Sequence, residues 1–144
     1  MPLPPLGLYI HLPWCERKCP YCDFNSHETE DVPEDHYIRT LLQDLREDSP
    51  MIQGRAIETL FIGGGTPSLF SAEAIQKLMR GIAQLIPLAP TLEATMEANP
   101  GSADADKFYA FKDAGINRLS IGIQSFDNAQ LQTLGRIHTS DQAY

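Results

Sequence analysis

The chain predicts an α/β fold built on a parallel sheet, and three observations carry that prediction. Apolar runs of strand length alternate four times with stretches of helical periodicity. The strand-length runs end on proline, glycine or asparagine, and the residues able to do chemistry gather at those ends. Alternation favours parallel strands joined by right-handed crossovers, and sites at strand carboxyl ends suit both a (βα) barrel and a doubly wound sheet. With 144 residues, 42% of them hydrophobic, the chain suffices for one domain burying about two-thirds of its unfolded surface.

The first run, Gly7-Leu8-Tyr9-Ile10-His11-Leu12, is a strand ended by Pro13, which cannot donate to a ladder. Directly after it comes Cys15-Glu16-Arg17-Lys18-Cys19-Pro20-Tyr21-Cys22, which holds all three cysteines of the chain. Each iron of a cubane iron-sulfur cluster takes a terminal ligand, usually a cysteine thiolate, so three cysteines leave one of four irons open for a small molecule. The spacing alone also allows a structural zinc site completed by His11 or His27. A disulfide is disfavoured by the odd cysteine and the short loops. His11 itself reads as a satisfied strand-end histidine.

The segment Ser26-His27-Glu28-Thr29-Glu30-Asp31 reads as a solvated acidic loop without a specific task. Asp31 is placed to cap a helix with Pro33, Glu34 and Asp35 in its first turn and Tyr37, Ile38, Leu41, Leu42 and Leu45 on one face. Ile57–Ile62 is the second strand, running into Gly63-Gly64-Gly65-Thr66-Pro67. Glycines there let backbone approach a ligand, yet the loop lacks the Lys-Ser/Thr of a P-loop and the spacing of a dinucleotide fingerprint. Ser71 caps the next helix, with Ile75, Leu78, Met79, Ile82 and Leu85 inward and a stop before Pro87.

Leu92–Glu97 is the third strand, broken at Asn99-Pro100-Gly101. Glu97 stands at its end, where a carboxylate can accept from two vicinal hydroxyls. A helix with Asp104 and Asp106 in its first turn, and Phe108 and Phe111 inward, stops at Gly115. The fourth strand starts near Asn117 and enters a loop at Gly122-Ile123-Gln124-Ser125-Phe126. Asp127 caps a short helix through Leu131 and Leu134 that ends at Gly135, just before Arg136. The final residues, His138 to Tyr144, read as the start of another capped helix.

Tyr9-Ile10-His11-Leu12-Pro13-Trp14 leading into the cysteine triad, with Tyr21 before the third cysteine and Asp23-Phe24 after it, closely resembles the entry motif of the radical S-adenosylmethionine (SAM) superfamily. The glycine run resembles that family's Gly-Gly-x-Thr-Pro loop in variant spacing. Glu97 before Asn-Pro, and Ser120-Ile121-Gly122-Ile123-Gln124-Ser125-Phe126, resemble two further family segments. The resemblance implies that Cys15, Cys19 and Cys22 hold a 4Fe-4S cluster whose fourth iron is chelated by the methionine end of SAM. An electron from the cluster would then break a carbon-sulfur bond of SAM to give a 5'-deoxyadenosyl radical. It assigns SAM contacts to Tyr9, Tyr21, Gly64, Gly65, Thr66, Glu97, Gln124 and Arg136. It also implies the fold: a partial (βα)6 radical SAM barrel with parallel strands, of which residues 1–144 are the amino-terminal portion. About four βα units are present, and further strands and a carboxyl-terminal domain are expected beyond Tyr144. The open sheet edge this leaves predicts low solubility or partner pairing for the chain alone.

Within the superfamily the chain resembles the branch that contains oxygen-independent coproporphyrinogen III oxidase and a related heme chaperone. Asp23-Phe24, where the oxidase has Gly-Cys, and the mere fourteen residues before Cys15 point toward the chaperone. The alternative is the oxidase, an enzyme of porphyrin biosynthesis that decarboxylates a propionate side chain by radical chemistry. The implied partners are heme or a porphyrinogen, a reducing electron donor, and a heme-accepting protein, which can be membrane-associated. With 19 acidic and 11 basic residues the net charge is -8, so no basic footprint argues for nucleic acid, and a tRNA-modifying enzyme is disfavoured. The start Met1-Pro2-Leu3-Pro4-Pro5-Leu6-Gly7 is neither a signal peptide nor a membrane span, and together with three unpaired thiols it predicts a cytoplasmic protein.

Overall fold

A computed structural model describes residues 3–144, apart from the side chains of residues 102–106. The order is β1 (Gly7–Leu12), β2 (Trp14–Cys15), β3 (His27–Glu28), α1 (Glu34–Asp48), β4 (Ile57–Gly64), α2 (Ala72–Leu85), β5 (Leu88–Ala98), α3 (Ser102–Asp113), β6 (Arg118–Ile121), α4 (Asn128–Thr133) and α5 (Ser140–Ala143). Short 3-10 turns follow α1 and β4. The main sheet runs β1-β4-β5-β6 with every pair parallel. Each crossover places its strand beside the previous one, so strand order never reverses. A doubly wound sheet needs such a reversal, whereas a barrel winds in one direction.

One-way winding puts the connecting helices on one face. Against that face lie Ile10, Leu12, Leu60, Ile62, Ala94 and Met96 from the strands. Ile38 of α1, Ile75, Leu78 and Ile82 of α2, and Phe111 of α3 complete the core. The other face carries the residues in register with Tyr9, namely Phe61, Thr95 and Arg118. It is a mixed aromatic and polar face, the side that a closing barrel turns inward.

Four elements depart from expectation. Asp31 does not cap α1: the helix begins at Glu34 with Pro33 at the cap position and no side-chain cap. Instead, the Thr29 hydroxyl accepts from Asp31 N–H and donates to its carbonyl. The Glu34 carboxylate crosses to α2 and accepts from both the amide and the hydroxyl of Ser71. Ser71 then caps α2 as predicted, accepting from the Ala74 amide at 3.2 Å.

The acidic loop is also not idle, because His27–Glu28 forms β3 and pairs with Trp14–Cys15. β4 runs two residues into the glycines, and β5 begins at Leu88, upstream of Pro90. Between Ile57↔Leu88 and Thr59↔Glu93 the register shifts, and Pro90 falls in that irregularity, where no ladder N–H is required. The predicted stops at Gly115 and Gly135 hold, both in the left-handed region with φ of 106° and 73°. The side chains of Asp104 and Asp106 lie outside the described residues.

Candidate functional site

The cysteine loop is shaped by its own backbone. Pro13 O accepts from the His27 amide at 2.7 Å and Cys15 O from the Thr29 amide at 3.1 Å, closing residues 15–26 into a compact loop. The Lys18 ammonium donates to the carbonyls of Phe24 and Ser26 at 3.1 and 3.0 Å, and the Lys18 amide donates to Glu28 Oε2 at 3.1 Å. Lys18 and Glu28 thus fold the loop and leave all three thiols free.

The glycine loop lies directly on this one. The Gly65 amide donates to Leu12 O at 2.8 Å, and the Thr66 amide to Trp14 O at 2.7 Å. A Cβ on Gly65 would stand 2.4 Å from that Trp14 oxygen, closer than any real contact, so only glycine fits. Gly64 has φ +121° and donates its amide to Glu97 Oε2 at 3.1 Å.

Cys15, Cys19 and Cys22 line a cavity of about 270 Å³ at the carboxyl ends of β1, β4, β5 and β6, together with Tyr21, Gly64, Gly65, Thr66, Glu97, Gln124 and Arg136. The structure brings these predicted residues to one place. Tyr9 is not on that wall: it stacks on Phe61 with ring centroids 6.2 Å apart, and its hydroxyl bonds His11 Nδ1 at 2.8 Å. Its pKa is raised by burial and then by the Glu97 charge. Partial burial, then the neighbouring Cys19 sulfur, likewise raise the Tyr21 hydroxyl.

His11 Nε2 bonds Asn25 O at 2.8 Å, so it carries the proton while Nδ1 accepts from Tyr9. Both nitrogens are engaged, as the reading of a satisfied strand-end histidine requires. Among the described residues no three His, Cys, Asp or Glu side chains converge closely enough to hold a single metal ion.

Gln124 lies on the loop after β6 with φ +70°, a left-handed conformation that a non-glycine residue adopts at a cost. Two side chains downstream hold that loop. Arg136 Nη2 donates to Gly122 O at 2.6 Å and His138 Nε2 to Ile123 O at 3.0 Å. Arg136 Nη1 also reaches Cys19 Sγ at 3.4 Å, and Nη2 reaches Asn99 Oδ1 at 2.8 Å. Arg136 Nε is buried with no partner among the described residues. Three free thiols and an orphaned buried N–H are groups that a cluster and an anionic ligand could engage, whereas the bare Cα positions of Gly64 and Gly65 face His11 and the Leu12–Trp14 backbone.

Sequence reasoning missed Arg17, Phe24, Asn99 and Gly122, which also line the cavity. Asn99 was legible as turn punctuation and as part of the Glu, Asn-Pro segment, without a site role of its own. The chain is acidic, yet among the described residues this wall presents the guanidiniums of Arg17 and Arg136 against the single carboxylate of Glu97.

Residues 9–144 match the Radical SAM superfamily. The heme chaperone HemW of Escherichia coli (strain K12) is 56% identical over 142 residues, spanning 98% of this chain and 38% of that protein. HemW of Haemophilus influenzae is 54% identical over 146 residues, with the same two shares. The chain thus spans well under half the length of the curated relatives it matches. Among solved structures, the coproporphyrinogen III oxidase HemN from Escherichia coli, described as a radical SAM enzyme, superposes with a TM-score of 0.88 at 28% identity over 96% of this chain and 32% of that one. With the triad, the one-way parallel sheet and these relatives in agreement, the chain belongs to the radical SAM superfamily, in the branch of HemW and HemN.

Proposed function

We propose that residues 1–144 form the amino-terminal portion of a radical SAM barrel domain in which Cys15, Cys19 and Cys22 hold a 4Fe-4S cluster and the adjoining cavity takes SAM. The intact protein is, on this reading, a HemW-like heme chaperone. The observation that carries the cofactor reading is the meeting of three free thiols with the glycine loop, Glu97, Gln124 and Arg136 around one cavity. The cluster, when bound, supplies the electron for reductive cleavage of SAM.

The chain's own groups have separable tasks. Gly64 and Gly65 let the glycine loop lie against His11 and the Leu12–Trp14 backbone, and Glu97 keeps Oε1 without a partner among the described residues while Oε2 holds Gly64. That remaining oxygen is available to a ribose hydroxyl. Arg136 offers positive charge beside Cys19, and Tyr21 walls the same cavity. The similarity to two HemW proteins over nearly the whole chain supports the chaperone. Heme is then cargo, passed to an accepting protein, and a reducing donor feeds the cluster.

The structural likeness to HemN favours a second reading, an oxygen-independent coproporphyrinogen III oxidase. One experiment separates them: the intact protein, reconstituted anaerobically with iron and sulfide, is given SAM, a strong reductant and coproporphyrinogen III, with heme binding and transfer measured in parallel. SAM cleavage and heme transfer without carbon dioxide release support the chaperone. Carbon dioxide release with turnover overturns it in favour of the oxidase. Failure to assemble iron and sulfide, with stoichiometric zinc retained, overturns the cluster reading itself.

Among the described residues no helix is long and apolar enough to cross a membrane. A cytoplasmic location is part of the proposal, supported by the unpaired thiols.

A further inference from the structure

Asn99 follows β5 and joins two walls of the cavity through the two ends of one amide. Its Nδ2 donates to Thr66 Oγ1 at 3.2 Å, and its Oδ1 accepts from Arg136 Nη2 at 2.8 Å. Thr66 belongs to the loop after β4 and Arg136 follows α4. A guanidinium has five N–H donors. Both donors of Nη2 are engaged, on Asn99 and on Gly122 O, and one of Nη1 is on Cys19 Sγ.

We infer that Asn99 is a positioning residue that fixes the rotation of the Arg136 guanidinium, so that Nη1 stays against the Cys19 sulfur. The inference rests on the cofactor reading above only for its consequence. If Cys19 ligates a cluster, a cationic donor on its sulfur stabilises the reduced, more negative state. Hydrogen bonds to the sulfurs are among the factors that set such potentials. Asparagine suits the task because it accepts at one end and donates at the other. Thr66 fixes which end faces which way, leaving the oxygen to the arginine.

The first readout needs no cofactor. In the metal-free intact protein, nitrogen NMR of the arginine side chains reports whether rotation about the Arg136 Nε–Cζ bond is frozen, and Arg136→Lys identifies the signals. Separate Nη resonances are expected for the wild type. They should merge in Asn99→Ala, or in Asn99→Ser where Ala does not fold, and remain separate in Asn99→Asp, which keeps an acceptor for Nη2. The second readout is the midpoint potential of the reconstituted cluster, expected to fall in the Ala or Ser variant. Frozen Nη signals in a folded Ala or Ser variant overturn the inference. So does an unchanged potential in a variant whose guanidinium has been freed. Should the wild type assemble no cluster, the cofactor reading falls, while the guanidinium spectra still decide for or against Asn99.

Discussion

The Gly64 amide donates to Glu97 Oε2 at 3.1 Å, so the loop after β4 and the carboxylate of β5 hold one another in place. A glutamine at 97 keeps one acceptor for Gly64 but loses the charge and the second acceptor. Glu97→Gln should weaken SAM binding about tenfold, and Glu97→Ala more, given about 1.5–3 kcal/mol for a hydrogen bond to a charged group. Anaerobic calorimetry of the reconstituted protein checks this, and unchanged affinity in both variants would remove Glu97 from the site.

Gly65 faces backbone, which cannot swing aside as a side chain can. Gly65→Ala puts a Cβ 2.4 Å from Trp14 O and should cost about 1–3 kcal/mol of stability, with loss of iron uptake. Gly101→Ala, with nothing among the described residues within 4 Å and an extended φ of 167°, is the silent control. Denaturant titrations of the two variants should separate clearly.

Asp31 does not cap α1, whereas Glu34, in the first turn as expected, braces the start of α2. Glu34→Ala removes two hydrogen bonds to Ser71 at the start of α2 and should cost about 1–3 kcal/mol in chemical denaturation. Asp31→Ala should stay within about 0.5 kcal/mol of the wild type, because its side chain caps nothing. Equal losses in the two variants would refute this assignment.

His138 is buried, and burial first and the Arg136 charge second hold its pKa below the ordinary histidine value, against the opposing bond to Ile123 O. The unfolded chain therefore binds this proton more readily than the folded one. Its contribution is whole above about pH 6.5 and is lost as pH falls from there through the depressed folded pKa. Stability measured from pH 7.5 to 5 should fall less steeply in His138→Gln, and an identical slope would show that His138 does not titrate in this way.

Much of this arrangement was legible because parallel strands under a helical layer read as apolar runs, and because glycine, proline and asparagine mark where they stop. The first strand was placed at its true ends, and the thiols, Glu97, Gln124 and Arg136 were all placed at or beyond strand ends. The ladder of Trp14–Cys15 with His27–Glu28 was not legible, since two residues per strand carry no periodicity. Glu28 looked like a solvated charge because its partner is a backbone amide, which has no sequence signature. Asn99 was hidden for a related reason: an Asn-Pro pair reads as a turn whether or not its amide spans a cavity. β5 begins at Leu88, four residues before the expected start at Leu92, and the irregularity that accommodates Pro90 in it has no sequence signature.

The bond from Arg136 to Cys19 joins residues 117 positions apart, whereas the cysteine loop is closed by contacts that end at Thr29. During synthesis at about 5–20 residues per second, the guanidinium leaves the ribosome roughly 6–23 s after the thiol it will touch. The thiols are thus gathered by a short, self-contained piece of nascent chain, and the far side of the cavity arrives later.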